Sequence, residues 1–163
     1  MTISKIYPCL WFDGTAEQAA QLYTSLFPDS RIDGVNRSAA DNPSTPAGAV
    51  LTVDFTLAGQ KFLGLNGGPE FHFTEAVSFT IECADQAEVD RYWEGLLDGG
   101  GEASRCGWLK DRFGLSWQVV PKALPEFLNN PDREAAARAM NAMLEMSKLD
   151  IARLQDAFEG VGS

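Results

Sequence analysis

Leu51, Val53, Phe55 and Leu57 alternate with Thr52, Asp54 and Thr56. A period of two places one set on each face of a strand. With Ala58-Gly59-Gln60 as the turn, "AVLTVDFTLAGQKFLGLNGG" predicts a hairpin. Upstream the period lengthens. "TAEQAAQLYTSLFPDS" spaces Ala19, Leu22, Tyr23 and Leu26 as one helical face. Thr15 is the expected N-cap, assisted by Asp13, and Pro28 marks the end. "ISKIYPCLWFDG" before it is β-branched, aromatic and closed by Asp-Gly, so it predicts a strand and turn. "RIDGVNRS" predicts a short strand, and "AADNPSTPAG" a polar, proline-bearing loop.

After "NGGPEFHFT" the order begins again: "EAVSFTIECAD" as strand, "QAEVDRYWEGLLDGG" as helix, "GEASRCGWLKDRFGLSWQVVP" as further strands. Ala16-Glu17 and Ala87-Glu88 stand 71 residues apart, an offset that sets Leu22 on Trp93 and Leu26 on Leu97 as the expected buried faces. The chain thus predicts a repeat of strand, helix and several strands, with modules of about 1–70 and 71–121 inside one domain spanning 1–163. Helices follow over 122–160. One is expected to start with Asn130 as N-cap and Pro131 at the first helical position. The other is expected to start at Ser147, with an acid three residues on, and to close at Gly160. Met140, Met143 and Met146 near Leu144 form an apolar stripe suited to packing or a subunit contact.

Composition removes several function classes. A net charge of −10 opposes phosphate binding and anionic membrane surfaces, so neither nucleic acid nor membrane is an expected partner. No apolar run approaches the ~20 residues of a membrane helix. The start "MTISKIYPCLWF" lacks a signal-peptide pattern, and three cysteines (Cys9, Cys83, Cys106) without a CxxC pair suit a reducing compartment. The expectation is a cytoplasmic protein.

The densest chemistry lies in "CGWLKDRFGLSWQVVP". Asp111 and Gly114 stand where a type I turn wants them, so Trp108–Lys110 and Leu115–Val120 predict paired strands. Leu115, Trp117 and Val119 then share one face, packed under a helix, while Ser116, Gln118 and Val120 share the other. Trp117 reads first as a core anchor, and Trp108 less strongly so. Cys106, with Arg105 and Lys110 nearby in sequence, is either a thiol activated by positive charge or an inert small hydrophobe. His72, the single histidine, is either a proton shuttle or a structural, exposed side chain.

Three stretches, "LWFDGTAEQAAQLYTSLFPDS", "CGWLKDRFGLSWQVVP" and "MLEMSKLDIARLQDAF", resemble the PhnB-like proteins. These carry the label 3-demethylubiquinone-9 3-methyltransferase and fall within the vicinal oxygen chelate superfamily of glyoxalases and bleomycin-resistance proteins. The resemblance implies an α+β fold: paired βαβββ modules forming a curved mixed sheet around a ligand cleft, with C-terminal helices added. It also implies a homodimer, and the apolar Met143, Leu144, Ile151 and Leu154 offer a face for one.

The superfamily's enzymes usually hold a metal on four inward strand positions. Matched here, these fall near Pro8, Leu63 or Gly64, Ser78 and Gln118, while Glu82 and Asp54 are not placed by the match. Such residues do not make a zinc, iron or nickel site. The expectation is no bound metal and no cofactor, with Gln118 and Ser78 hydrogen-bonding a neutral or anionic small molecule. Trp108, Cys106, Lys110 and His72 complete the candidate cleft. The methyltransferase label is disfavoured, because "LLDGGG" follows a helix and "LNGGPEF" leads into another β module, not from a first strand into a helix. Three readings remain: a metal-free small-molecule-binding protein or enzyme, a metal-dependent lyase, isomerase or dioxygenase, and a non-catalytic sequestering protein of the resistance type.

Overall fold

Two four-stranded mixed sheets carry the chain, each backed by one helix. The computed structural model describes residues 4–161, which divide into two compact units between Phe73 and Thr74. In the first, β1 (Cys9–Phe12), α1 (Ala16–Leu26), β2 (Arg31–Arg37), β3 (Val50–Leu57) and β4 (Gln60–Asn66) give the strand order β1-β4-β3-β2. β1 runs parallel to β4, and the other pairs are antiparallel. In the second, β5 (Ser78–Cys83), α2 (Gln86–Leu97), β6 (Glu102–Ala103), β7 (Trp108–Lys110) and β8 (Ser116–Pro121) repeat that order as β5-β8-β7-β6. The repeat read from the sequence is therefore a repeat of topology.

Local chemistry explains the elements of the first unit. Ala58 (φ 47°) and Gly59 (φ 83°) both turn left-handed between β3 and β4. Two positive φ angles in a two-residue loop match the twist of the flanking strands. Val53, Phe55 and Leu57 are buried as the alternation predicts, and Phe55 stacks on Phe62 at 5.4 Å. α1 covers them with Ala16, Ala19, Ala20 and Tyr23. The small residues let the helix sit low: a Cβ on Gly64 of β4 would lie 3.2 Å from that of Ala16. Thr15 occupies the N-cap position but makes no side-chain cap bond. Asn66 does that work from β4, its Oδ1 accepting from Ala16 N at 2.9 Å while its Nδ2 donates to Val50 O at 3.0 Å.

The buried helix faces correct the expected offset. Leu22, Leu26 and Leu97 are only half-buried. The fully buried sets are Ala16, Ala19, Ala20, Tyr23 and Val89, Tyr92, Trp93, Leu96, which are 73 residues apart. The sequence match aligned the Ala-Glu pairs, whereas packing aligns the faces.

The C-terminal helices are α3 (Leu124–Leu128), α4 (Arg133–Leu144) and α5 (Ile151–Glu159). Two expected caps shift. Asp132, not Asn130, caps α4 by accepting from Ala135 N. Asp150, not Ser147, caps α5 by accepting from Arg153 N. A carboxylate at the N-cap also meets the positive end of the helix dipole, which favours it over a neutral cap upstream. Gly160 closes α5 left-handed at φ 76°, as expected.

Leu124, Phe127, Ala139, Met146, Leu149 and Leu154 form one apolar cluster, with Met143 packed against it. Leu154 thus belongs to the core of its own unit and not to a free apolar face. Leu144 and Met140 remain about half exposed. The start of α5 is tied to α2 through Gln86, whose Nε2 donates to Leu149 O at 3.0 Å and whose Oε1 accepts from Ile151 N at 2.8 Å.

Candidate functional site

The β7–β8 hairpin is built on Asp111. Its buried carboxylate accepts from Phe113 N (2.8 Å) and Leu115 N (3.1 Å) through Oδ1, and from Trp117 Nε1 (3.0 Å) through Oδ2. The turn and the indole are therefore fixed by one side chain. Leu115, Trp117 and Val119 face the helix side and are buried, as the alternation predicts. The opposite face of β8 is then committed to Ser116, Gln118 and Val120.

That opposite face is polar. Register pairs Gln118 with Trp108 on one side and Thr80 on the other, and pairs Ser116 with Lys110 and Ser78. Lys110 pairs in turn with Glu102 on β6. Gln118 Nε2 donates to Ser78 Oγ at 3.0 Å. Four of the six candidate residues, Ser78, Gln118, Trp108 and Lys110, hence lie on one sheet face. At its Lys110 end a cavity of about 170 Å³ is lined by Glu75, Glu102, Ser104, Trp108, Lys110 and Ser116 among others.

Lys110 Nζ forms an ion pair with Glu75. The hydrogen bond from Lys110 holds the Glu75 carboxyl below the usual carboxylate range, and the same bond raises the lysine. Both groups therefore remain charged across the neutral range. The sequence hid Glu75, Glu102 and Ser116 as neighbours. Ser116 was assigned to this face by parity, but its near-complete burial (1 % exposed) depends on what lies over it.

The other two candidates lie elsewhere. His72 is exposed in the first unit, in the connection after β4. Cys106 is half-buried just before β7, with a left-handed φ of 58°, and its N–H donates to Met146 O at 2.9 Å. Lys110, one of the two cations near this thiol in sequence, is engaged by Glu75. All three cysteines are free. Cys83 is fully buried, and that burial, aided by the charge of Glu88, pushes its thiol up to about 12 from 9.0. Its thiolate fraction at neutral pH is then about a thousandfold below that of an ordinary thiol. Iodoacetamide at about pH 8 is expected to leave Cys83 unmodified in the folded protein and to alkylate it in urea, as read by peptide mass spectrometry. Alkylation in the folded protein at the unfolded rate would contradict this burial.

The first unit holds a second, larger cavity of about 480 Å³ beside the start of α1, lined by Glu17, Gln18, Arg37, Ser44, Thr45 and Asn66 among others. It contains none of the residues singled out from the sequence.

Comparison with known proteins places this geometry. A family model described as 3-demethylubiquinone-9 3-methyltransferase matches residues 4–120. A Bacillus cereus structure, named for 3-demethylubiquinone-9 3-methyltransferase and PhnB, is 33% identical with a TM-score of 0.66, covering 72% of this chain and 99% of its own. A Pseudomonas aeruginosa protein shares the fold at 19% identity and TM-score 0.55, covering 73% of this chain and 98% of its own. The fosfomycin resistance protein FosX of Listeria monocytogenes, solved with Mn(II) and sulfate, shares it at 16% identity and TM-score 0.52, covering 79% and 98%. No curated protein matches the chain. Among the described residues no helix is long and apolar enough to cross a membrane.

Proposed function

Because this chain belongs to the PhnB-like 3-demethylubiquinone-9 3-methyltransferase family of the vicinal oxygen chelate superfamily, we propose that it binds a small organic ligand on the polar face of the β5-β8-β7-β6 sheet, without a tightly bound catalytic metal. One observation carries this reading: the Gln118–Ser78 hydrogen bond, set beside Trp108 on a half-buried sheet face. It fixes the amide plane while Gln118 Oε1 accepts a bond from the ligand. Trp108 supplies aromatic surface next to it.

The donor chemistry supports the metal-free part. Ser78 and Gln118 are neutral and joined by one hydrogen bond, and the matched positions in the first unit, Pro8 and Leu63 or Gly64, have no side-chain donor. Transition-metal sites are made of imidazoles, thiolates and carboxylates. These residues do not fit such an ion, and no chemical step here is routed through one. The family's methyltransferase label receives no support from the topology. A Rossmann-like domain winds parallel strands around a glycine-rich first turn, whereas both sheets here are mixed.

The test is mass spectrometry of small molecules retained by the purified protein, with elemental analysis of the same untagged, chelator-free sample. A retained organic ligand, lost in Gln118→Ala at unchanged thermal stability, is the expected result. Near-stoichiometric transition metal that disappears in Gln118→Ala would overturn the reading. The protein is further proposed to act as a homodimer in the cytoplasm. The half-exposed Met140 and Leu144 on α4 and the three free thiols support this. Light scattering giving a monomer mass at micromolar concentration would remove the dimer.

A further inference from the structure

Ser116 Oγ is buried and has no hydrogen-bond partner among the described residues. Such a hydroxyl is costly to leave unsatisfied. It lines the 170 Å³ cavity, and strand parity turns it to the same face as Lys110 and Gln118. Glu75, Glu102, Lys110, Ser104 and Trp108 stand around that cavity. Lys110 and Glu75 neutralise each other in their ion pair, so the carboxylate of Glu102 sets the local sign. An anion entering here meets a lysine already engaged and a second carboxylate beside it, on a chain of net charge −10. A cation meets the Glu102 carboxylate, with the aromatic Trp108 also in the lining, and both are attractive to positive charge.

We propose that this cavity is a subsite for a compact primary ammonium group. Its N–H bonds reach Glu102 and Ser116 Oγ, and Trp108 packs against the adjoining carbon. The inference rests on the reading that the sheet face binds a small organic ligand, and it names the charge class of one end of that ligand. This departs from the expectation of a neutral or anionic molecule: the ligand is neutral at Gln118 and Ser78 but cationic at Ser116. Size agrees, since 170 Å³ is the share of liquid of about five to six waters, room for an amino group with two or three attached heavy atoms.

The test uses the intact protein and 2-aminoethanol as hydrochloride, with ethylene glycol as neutral isostere and acetate as anion. ¹H–¹⁵N spectra follow the Trp108 indole, the Ser116 amide and the Gln118 side-chain amide. Aminoethanol is expected to shift Trp108 and Ser116 saturably and at least about tenfold more tightly than ethylene glycol, while acetate leaves them unmoved. Glu102→Gln is expected to weaken aminoethanol about tenfold. Ser116→Ala serves as a second variant that keeps the Cβ and removes the unsatisfied hydroxyl. It is expected to unfold at equal or higher denaturant concentration and yet to bind aminoethanol more weakly, a combination that a merely structural serine does not give. Equal binding of ethylene glycol, preferential binding of acetate, or unmoved Trp108 and Ser116 signals with aminoethanol would each overturn the ammonium subsite. A retained organic ligand lost in Gln118→Ala would leave the wider reading standing in those cases, so the two fail separately.

Discussion

Asp111→Ala is expected to destabilise the second unit by about 3–5 kcal/mol, the scale of several buried N–H groups losing one charged acceptor. Asp111 is 3 % exposed, and its carboxylate accepts N–H bonds from Phe113, Leu115 and Trp117. Bonds to a charged acceptor are worth about 1.5–3 kcal/mol each and are not additive. Alanine also takes the Asp111 acceptor away from the indole N–H of the buried Trp117, and a bond lost in the interior costs more than one lost at the surface. Against a typical domain stability of about 5–15 kcal/mol, the variant lies near the threshold of folding. Asp111→Asn retains an acceptor for the two turn N–H groups but sets its own NH₂ against the indole, so roughly half the loss is expected, about 2 kcal/mol. Urea unfolding followed by tryptophan fluorescence measures both. A loss below about 1 kcal/mol for alanine, the net worth of a single ordinary bond, would show that the hairpin does not depend on this carboxylate.

Asp111 also shows how far the sequence could be read. Its place in a type I turn is a matter of residue type and spacing, and both are local. Its reach to Trp117 requires knowing that the indole, six residues on, lies back over the turn. The strands, the two sheet-backing helices and the repeated topology were legible because hydrophobic period and turn residues are local signals too. Site neighbours were not. Glu75 meets Lys110 across 35 residues of sequence, and Asn66 caps α1 across 50.

The same limit explains the misplaced helix starts. Asn130 and Ser147 have the right chemistry, but Asp132 and Asp150 stand where the backbone enters the helix, and a cap is defined by that geometry. The C-terminal apolar positions were read as a free face because no pattern says what covers them. Leu149 and Leu154 turn out to be the centre of a cluster with α3.

Gly107→Ala is expected to cost about 3–4 kcal/mol, combining a left-handed side chain with overpacking. Cys106 and Gly107 make consecutive left-handed residues, φ 58° and 84°, at the entry to β7. A Cβ at Gly107 would meet Val119 O at 2.8 Å and Leu149 Cδ1 at 3.1 Å. Leu149 is fully buried and has little room to give. The Val119 carbonyl belongs to backbone that is itself fastened, since Val119 N donates to Gly107 O at 2.7 Å. Nor can the loop retreat freely, because Cys106 N and Gly107 N hold Met146 O and Ser147 O at 2.9 and 2.8 Å. Gly114→Ala provides the control: φ is 88°, nearly the same, but nothing stands within 4 Å of its Cβ. It is expected to cost only the conformational part, about 1–2 kcal/mol. The difference between the two variants, about 2 kcal/mol, measures how closely Gly107 approaches the β8 backbone and Leu149 in the connection between α4 and α5. Because Trp108 follows Gly107 directly, the alanine variant is also expected to shift the Trp108 indole signal, which Gly114→Ala leaves in place. Equal losses of stability from the two substitutions would mean that the contacts of Gly107 with Val119 O and Leu149 are loose enough to admit a methyl group.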